Sequence, residues 1–428
     1  MTFQALPGFR DFFPHDLAQR GIIFARWREI ARRYGFEEYD GPPLEPLELY
    51  TRKSGDEIVG QLYTFSDKGG REVSLRPEMT PTLARMVAAR ASALRKPVRW
   101  FSIPQLFRYE RQQKGRLREH FQLNMDIVGE ADVSADAELL ASAIDIVRSF
   151  GLGPADVRAR VSDRRLLQGL LSLAGVDADR LPGVYQIVDK LGRETRQSLE
   201  RKLGEAGFDA PQVARIFEVL GSTDLQGLRD RYSDVPALRE DFARLDRYFG
   251  YLQALGVADW VAFDLSVVRG LAYYTGIVFE LFDTVGEFRA ICGGGRYDGL
   301  LESLGGVNMP ALGFGMGDVV LAELLRSRGL LPVAETGVDV WIAFGDAGGL
   351  TEAMRLAAKL RQRGRSVEYA LGGQQLSRQR KAAHAAGARE MVTLTPEELA
   401  RGVAIVRRMS DGTEERVQLD AWAEGEGR

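Results

Sequence analysis

FRYERQQKGRLREHFQLNMD, residues 107–126, is the stretch on which the reading of this chain turns. With VRWFSIPQL before it and IVGE after it, the stretch reads as a β-hairpin spanning roughly 98–130. Strand-like runs at 98–110 and 121–129 flank a polar, basic, glycine-containing loop. Side chains along a strand alternate between its faces. Gln122, Asn124 and Asp126 therefore share one face, and Phe121, Leu123, Met125 and Ile127 the other. In the first strand Arg108 and Glu110 share a face. If the polar faces coincide, an arginine, a glutamate, a glutamine and an aspartate meet on one surface of an antiparallel sheet. Alternation alone leaves two readings open: a solvated face with cross-strand ion pairs, or the floor of a site. The loop adds Arg111, Lys114, Arg116 and Arg118 at the tip. Like charges crowded there repel unless an anion is present, so the tip suits a phosphate-rich substrate.

Outward from the hairpin, the pattern is mixed. Residues 16–34 predict an amphipathic helix, with Ile23, Trp27, Ile30 and Tyr34 at helical spacing and Gly35 as the stop. YDGPPLEPLELY (39–50) carries Pro42 and Pro43, which suit an edge or interface better than a central strand. Strand 73–76 and a helix at about 133–150 follow the same logic. From about 165 to 255 the texture is helical throughout, with Leu238, Phe242, Leu245, Phe249 and Leu252 forming one stripe. Strand-like, glycine-rich sequence returns at 261–298, so the helical block is predicted to be an insertion in one sheet domain of residues 1–327. A linker is placed near 328–337. Residues 335–428 then alternate strand and helix (VDVWIAF, 349–363, SVEYAL, 374–386, EMVTL), which predicts a small α/β domain with a mainly parallel sheet.

Composition narrows the classes. A chain of 428 residues predicts two or three domains. A hydrophobic fraction of 45% with 27% charged residues predicts a soluble globular protein with ample core. The N-terminal sequence has no basic region followed by an apolar run, and no stretch is apolar enough to span a membrane. One cysteine, Cys292, excludes an internal disulfide framework, and with three histidines it argues against a Cys/His metal site. A reducing, cytoplasmic setting is expected. A net charge of −3 gives no global support for nucleic-acid binding, so any RNA contact must come from local basic clusters.

Four further segments carry chemistry. LRPEMTPTLARM (75–86) offers Glu78 and Thr80; the carboxylate suits an ammonium in a partly dry pocket, or else the first turn of a helix. VVRGLAYYTGIVFE (267–280) embeds Arg269 in a glycine-containing strand beside Tyr273 and Tyr274. ICGGGRYDGLL (291–301) has three successive glycines, which permit close approach of a backbone or ligand, and Tyr297. It is not a phosphate loop, because no Lys-Ser/Thr follows. PALGFGMGDVVLAEL (310–324) is a glycine-rich strand leading into a helix, without dinucleotide-binding spacing.

Together these segments resemble class II aminoacyl-tRNA synthetases in their histidyl form. The hairpin resembles motif 2, 310–324 motif 3, and GPPLEPLELY (41–50) motif 1, with Pro43 at its characteristic place; LPGFRDFFP (6–14) resembles the N-terminal segment. The segments around Arg269 and Gly293 resemble signatures particular to histidyl enzymes. The resemblance covers almost the whole chain. It implies an α+β fold: an antiparallel sheet domain with a helical insertion, plus a C-terminal α/β anticodon-binding domain. It implies ATP as substrate with Mg²⁺, L-histidine and tRNA(His) as partners, and a homodimer through motif 1. Arg108 and Arg269 would act on the α-phosphate of ATP. Arg108 would also bind the substrate carboxylate, a task suited to a planar, permanently charged guanidinium. Glu110 would address the adenine, and Arg116 the phosphate-rich end near the tRNA acceptor. Histidine would be held by Glu78, Thr80, Gln122, Asp126, Tyr273, Tyr274 and Tyr297. Arg378, Arg380 and Lys381 are candidate RNA contacts in the C-terminal region.

The chain departs from the family pattern at two places. Motif 3 ordinarily ends Glu-Arg, the arginine serving the γ-phosphate; Val319 and Val320 stand there. The tyrosine signature ordinarily carries Asp where this chain has Ala272. The surrounding segments are similar to a branch that includes plant organellar histidyl enzymes. The rival reading is a non-catalytic, synthetase-like regulatory subunit of ATP phosphoribosyltransferase. Such subunits lack the anticodon domain, and 335–428 argues against it.

Overall fold

The computed structural model describes residues 3–52, 59–110, 117–188, 190–191, 194–268, 274–286, 288–334, 336–345, 347–372 and 374–425. They form two compact units, Met1–Phe12 with Gln19–Pro332 and Phe13–Ala18 with Val333–Arg428.

The larger unit is built on a nine-stranded sheet. Its order is β1 (Glu37–Glu38), β5 (Val98–Ser102), β7 (Glu119–Val128), β12 (Ala311–Gly317), β11 (Cys292–Arg296), β10 (Ile277–Asp283), β8 (Val157–Asp163) and β9 (Val261–Phe263). β6 (Gln105–Phe107) pairs with β7 off this path. Only the outermost pairs, β1 with β5 and β8 with β9, are parallel. The predicted strand 98–110 is broken in two, because Pro104 has no N–H to give to a ladder. Its carbonyl instead accepts from the Gln122 amide at 3.2 Å.

One face of the sheet is core. Leu123, Met125 and Ile127 are buried against Leu140, Ile144 and Val147 of the helix Ser134–Arg148 and against Trp27 of the helix Pro14–Arg33. Gly294 belongs to this face, in register between Phe279 and Phe314. Their rings pack edge to face with centroids 6.2 Å apart, and a Cβ on Gly294 would collide with Phe314. On the same side Arg296 reaches under the sheet to Asp136, Nε to Oδ2 at 3.1 Å. Burial outweighs the pull of Arg296 and raises the Asp136 carboxyl to about 6.

The helical block runs from Arg164 to Ala254. Buried Asp163 fastens it to the sheet. Its carboxylate caps the helix Arg164–Leu173 by accepting from the N–H groups of Arg165 (2.8 Å) and Leu166 (3.0 Å), and it binds the Arg244 guanidinium at 2.9 Å. In the helix Arg239–Ala254 the buried stripe is Phe242, Leu245, Tyr248 and Leu252. Tyr248 is the fully buried member there, and the expected Phe249 packs partly buried against the same core, since positions three and four residues on both fall within a helical stripe.

A smaller sheet orders β2 (Leu44–Pro46), β4 (Glu72–Leu75) and β3 (Tyr63–Ser66). β2 is an edge strand, which tolerates the prolines of 42–46.

In the second unit the sheet order is β14 (Val367–Tyr369), β13 (Val340–Phe344), β15 (Glu390–Leu394), β16 (Val403–Arg408), β17 (Glu414–Gln418). The first two pairs are parallel and the last two antiparallel. The expected parallel sheet is thus half the sheet. The signal for the rest was Asp411-Gly412, a turn dipeptide whose glycine has φ 75°. Val340, Ile342 and Phe344 pack under the helix Ala347–Gln362. Buried Gln379 donates to the Phe344 carbonyl at 2.8 Å and pins the helix Leu376–Ala385 on the other face. Among the described residues no helix is long and apolar enough to cross a membrane.

Candidate active site

The second face of the large sheet is polar along β7 and nearly bare beside it. Gln122, Asn124 and Asp126 stand opposite Gly317, Gly315 and Gly313 of β12. Gly315 and Gly313 stand in turn opposite Gly293 and Gly295 of β11. The glycines are needed here. A Cβ on Gly313 would run into the Asp126 carboxylate and the Tyr297 hydroxyl, and one on Gly315 into the Gln122 amide. The polar side chains of one strand thus lie flat over the backbone of the next. Gln122 is held by Asn124, Nε2 to Oδ1 at 2.8 Å.

This face opens into a cavity of about 800 Å³. Arg108, Glu110, His120, Gln122, Glu280, Arg160, Arg289 and the Val319–Val320 pair line it. The Arg108 guanidinium is set by its Nε, which donates to the Pro77 carbonyl at 2.9 Å. That bond brings the 75–80 loop beside the hairpin. Glu78 is buried, and the following helix starts only at Thr80, which is partly exposed. Glu78 is therefore not a first-turn residue of that helix, and the helix-start alternative falls.

Deeper on the same face, the Tyr297 hydroxyl donates to the buried Asp126 carboxylate. Tyr274 is buried beside this pair, its ring centroid 6.5 Å from that of Tyr297. Burial raises the Asp126 carboxyl to about 7, with the bond from Tyr297 opposing the rise. The raised value makes a prediction for the ligand-free protein. The folded state holds a proton that the unfolded chain releases near pH 4. The stabilisation is present below that pH and is lost as pH rises through about 7. Thermal denaturation between pH 5 and pH 8 should show Tm declining with pH, and Asp126→Asn should flatten that decline; equal slopes would contradict the assignment.

Arg269, Tyr273 and Ala272, and the loop residues Arg111, Lys114 and Arg116, lie outside the described residues. Arg118, counted with the basic tip, instead folds back over the Tyr109 ring at 4.1 Å and donates to the Glu110 carbonyl. The aromatic face and the carbonyl give its guanidinium partners within the protein.

Two features escaped sequence reasoning. His120 lines the cavity beside Gln122, and burial and the nearby Arg108 charge lower its pKa to about 3, so the ring is neutral. The signal was its even number, which places it on the face of Gln122. Arg10 bonds Glu119 at 2.6 Å and Asp318 at 2.9 Å, and Asp318 accepts from the Phe121 amide at 2.9 Å. This network ties the N-terminal segment to β7 and to the helix Asp318–Ser327, and only the folded chain brings its members together.

Residues 8–318 match the family model described as histidyl-tRNA synthetase. The chain belongs to the histidyl-tRNA synthetase family. Residues 332–425 match a second model, anticodon binding domain. The histidine–tRNA ligase of Opitutus terrae is 44% identical over 417 residues, 96% of this chain and 95% of that protein. The chloroplastic/mitochondrial histidine–tRNA ligase of Arabidopsis thaliana is 41% identical over 96% of this chain and 84% of its own. The resemblance to a branch with plant organellar members is accordingly sound. The fold superposes on the crystal structure of histidyl-tRNA synthetase from Nostoc sp. with a TM-score of 0.82 at 23% identity, covering 99% of both chains. Val319 and Val320, which follow the segment resembling motif 3, line the cavity, and Val320 also packs on the core.

Proposed function

We propose that this chain joins L-histidine to tRNA(His) at the expense of ATP. Histidine and ATP give histidyl-adenylate and pyrophosphate, and the histidyl group then passes to the 3′-hydroxyl of the terminal adenosine. The observation that carries the reading is the buried Asp126–Tyr297 pair at the end of a face that also presents Arg108 and Gln122. A neutral imidazole has one donor and one acceptor. The Asp126 carboxylate, oriented by the Tyr297 hydroxyl that donates to it, accepts from the ring N–H, and a second tyrosine hydroxyl of the pocket answers the other nitrogen; an analogue lacking either nitrogen leaves a buried polar group unpaired.

Each neighbour then has a task. Glu78 takes the α-ammonium of histidine, with Thr80, Gln122, Tyr273 and Tyr274 completing the pocket. Arg108 holds the α-phosphate and the attacking carboxylate oxygen in one geometry, so that reaction needs little reorganisation. Arg269 offsets the charge that builds on the α-phosphate. Glu110 addresses the adenine, while His120, neutral and lining the same cavity, offers a ring rather than a second cation. Arg116 faces the acceptor end of the tRNA.

Mg²⁺ accompanies ATP in this reading. Magnesium binds through one or two carboxylates plus substrate phosphates. Glu280 in the cavity lining offers such a carboxylate, and among the described residues no cluster of three or more His, Cys, Asp or Glu would hold a metal alone. The ion would screen the phosphate charge. The segment 41–50 forms the interface of a homodimer, and exposed Arg378, Arg380 and Lys381 meet the anticodon arm. A reducing cytoplasm suits a chain with one cysteine.

Histidine-dependent ATP–pyrophosphate exchange tests the activity. Exchange should be present, and Arg269→Ala should abolish it while leaving histidine affinity within about twofold, because the lost contact is to the transition state. Intact histidine binding with no exchange would favour the regulatory-subunit reading, against which the match of 332–425 to an anticodon-binding model already weighs.

A further inference from the structure

The cavity is lined by Val320 where motif 3 ordinarily has its arginine, and the fold places another arginine in the same lining. β11 and β12 are antiparallel, with Cys292 opposite Met316 and Gly293 opposite Gly315. Residues 289–291, which lead into β11, and the start of the helix Asp318–Ser327, which follows β12, therefore leave the strand pair at the same end. Arg289, Ala290, Ile291, Val319 and Val320 all line the cavity. The described guanidinium groups in the lining are those of Arg108, Arg160 and Arg289. Arg108 is committed to the α-phosphate side. Arg160 is committed to the protein: it stands opposite Glu280 across the strand pair, lies over the Phe282 ring at 4.8 Å, and is 3.8 Å from the Asp264 carboxylate.

Resting on the synthetase reading above, we propose that Arg289 is the ligand of the terminal phosphates of ATP, in place of the absent arginine at Val320. Three observations support this. Arg289 is exposed to the cavity. It lies just before β11, the strand beside β12 that leads to Val320, and both residues line the one cavity, so the charge comes from a different part of the chain. Its planar fork can meet a terminal phosphate with two parallel, charge-assisted hydrogen bonds. The contact helps to draw pyrophosphate away from the α-phosphorus as that bond breaks, and it serves the tail of the nucleotide only.

That last property supplies the test. Full-length wild type, Arg289→Ala, Arg160→Ala and the double variant Arg289→Ala/Val320→Arg are titrated calorimetrically with ATP–Mg²⁺ and separately with AMP. The expected result is ATP binding weakened roughly 10- to 100-fold in Arg289→Ala, the worth of a hydrogen bond to a charged group, with AMP binding changed by less than about twofold. Val320→Arg should restore part of the ATP affinity. Unchanged histidine binding shows that the pocket has folded. ATP and AMP affinities falling together, or an ATP-selective loss in Arg160→Ala but not in Arg289→Ala, would overturn the assignment. Absence of exchange in the wild type would instead sink the synthetase reading; exchange intact in both wild type and Arg289→Ala, with unaltered KM for ATP, would sink this inference alone.

Discussion

Arg108→Ala should lower histidine-dependent ATP–pyrophosphate exchange by about a thousandfold or more. The site gives this side chain two duties at once. Its Nε is spent on the Pro77 carbonyl, which leaves the two terminal nitrogens directed at the cavity. Two parallel donors match a phosphate or a carboxylate edge, and in the proposed reaction their positive charge would meet the negative charge that accumulates as the carboxylate attacks. Alanine removes the charge, the donors and the tie to the 75–80 loop. Arg108→Lys keeps the charge but has no planar fork, so it should recover only part of the loss. Exchange kinetics with histidine and ATP varied separately would check this. A decrease of less than about tenfold in kcat/KM would show that the fork is not aimed at the reacting phosphate.

The second large effect is expected at a residue with no side chain. Gly313→Ala puts a methyl group where the Asp126 carboxylate and the Tyr297 hydroxyl lie. The strand cannot give way, because β12 is paired on both sides, to β7 and to β11. The carboxylate must therefore turn off its rotamer and abandon its bond to Tyr297. The KM for histidine should rise about a hundredfold or more, since a pocket built around hydrogen bonds discriminates poorly once one partner is misplaced. ATP affinity should change little, as Arg108 and Glu110 belong to other elements. Measuring both constants in the exchange reaction separates the outcomes; equal losses for histidine and ATP would mean that the sheet itself had failed. Gly294→Ala is the informative contrast. That glycine serves the core between Phe279 and Phe314, so its replacement should act on stability.

These two glycines mark where sequence reasoning stops. The run Gly293-Gly294-Gly295 looks uniform in sequence, and close approach of some partner is all that it implies. Strand alternation splits the run between two faces. Gly294 makes room for core aromatics, while Gly295 makes room for the Tyr274 ring at 2.9 Å. Alternation also explains what was legible. The parity of Gln122, Asn124 and Asp126 survives any change of register by two, so their common face could be read from the chain. His120 obeys the same parity, but loop and strand could not be told apart at the point where the strand begins.

By itself the sequence determined the α+β architecture, the helical insertion between two halves of one sheet, and the family, because periodicity and motif order are properties of neighbours along the chain. The resemblance also sets Val320 where motif 3 ordinarily ends in an arginine. Only the tertiary structure decided what surrounds that valine. Folding brings Arg289 into the lining of the same cavity, and it brings Asp126 to Tyr297, Arg108 to Pro77 and Arg10 to Asp318. These partners lie tens to hundreds of residues apart. Their meeting depends on strand order and register, which are set by the burial of the whole opposite face and not by any local pattern.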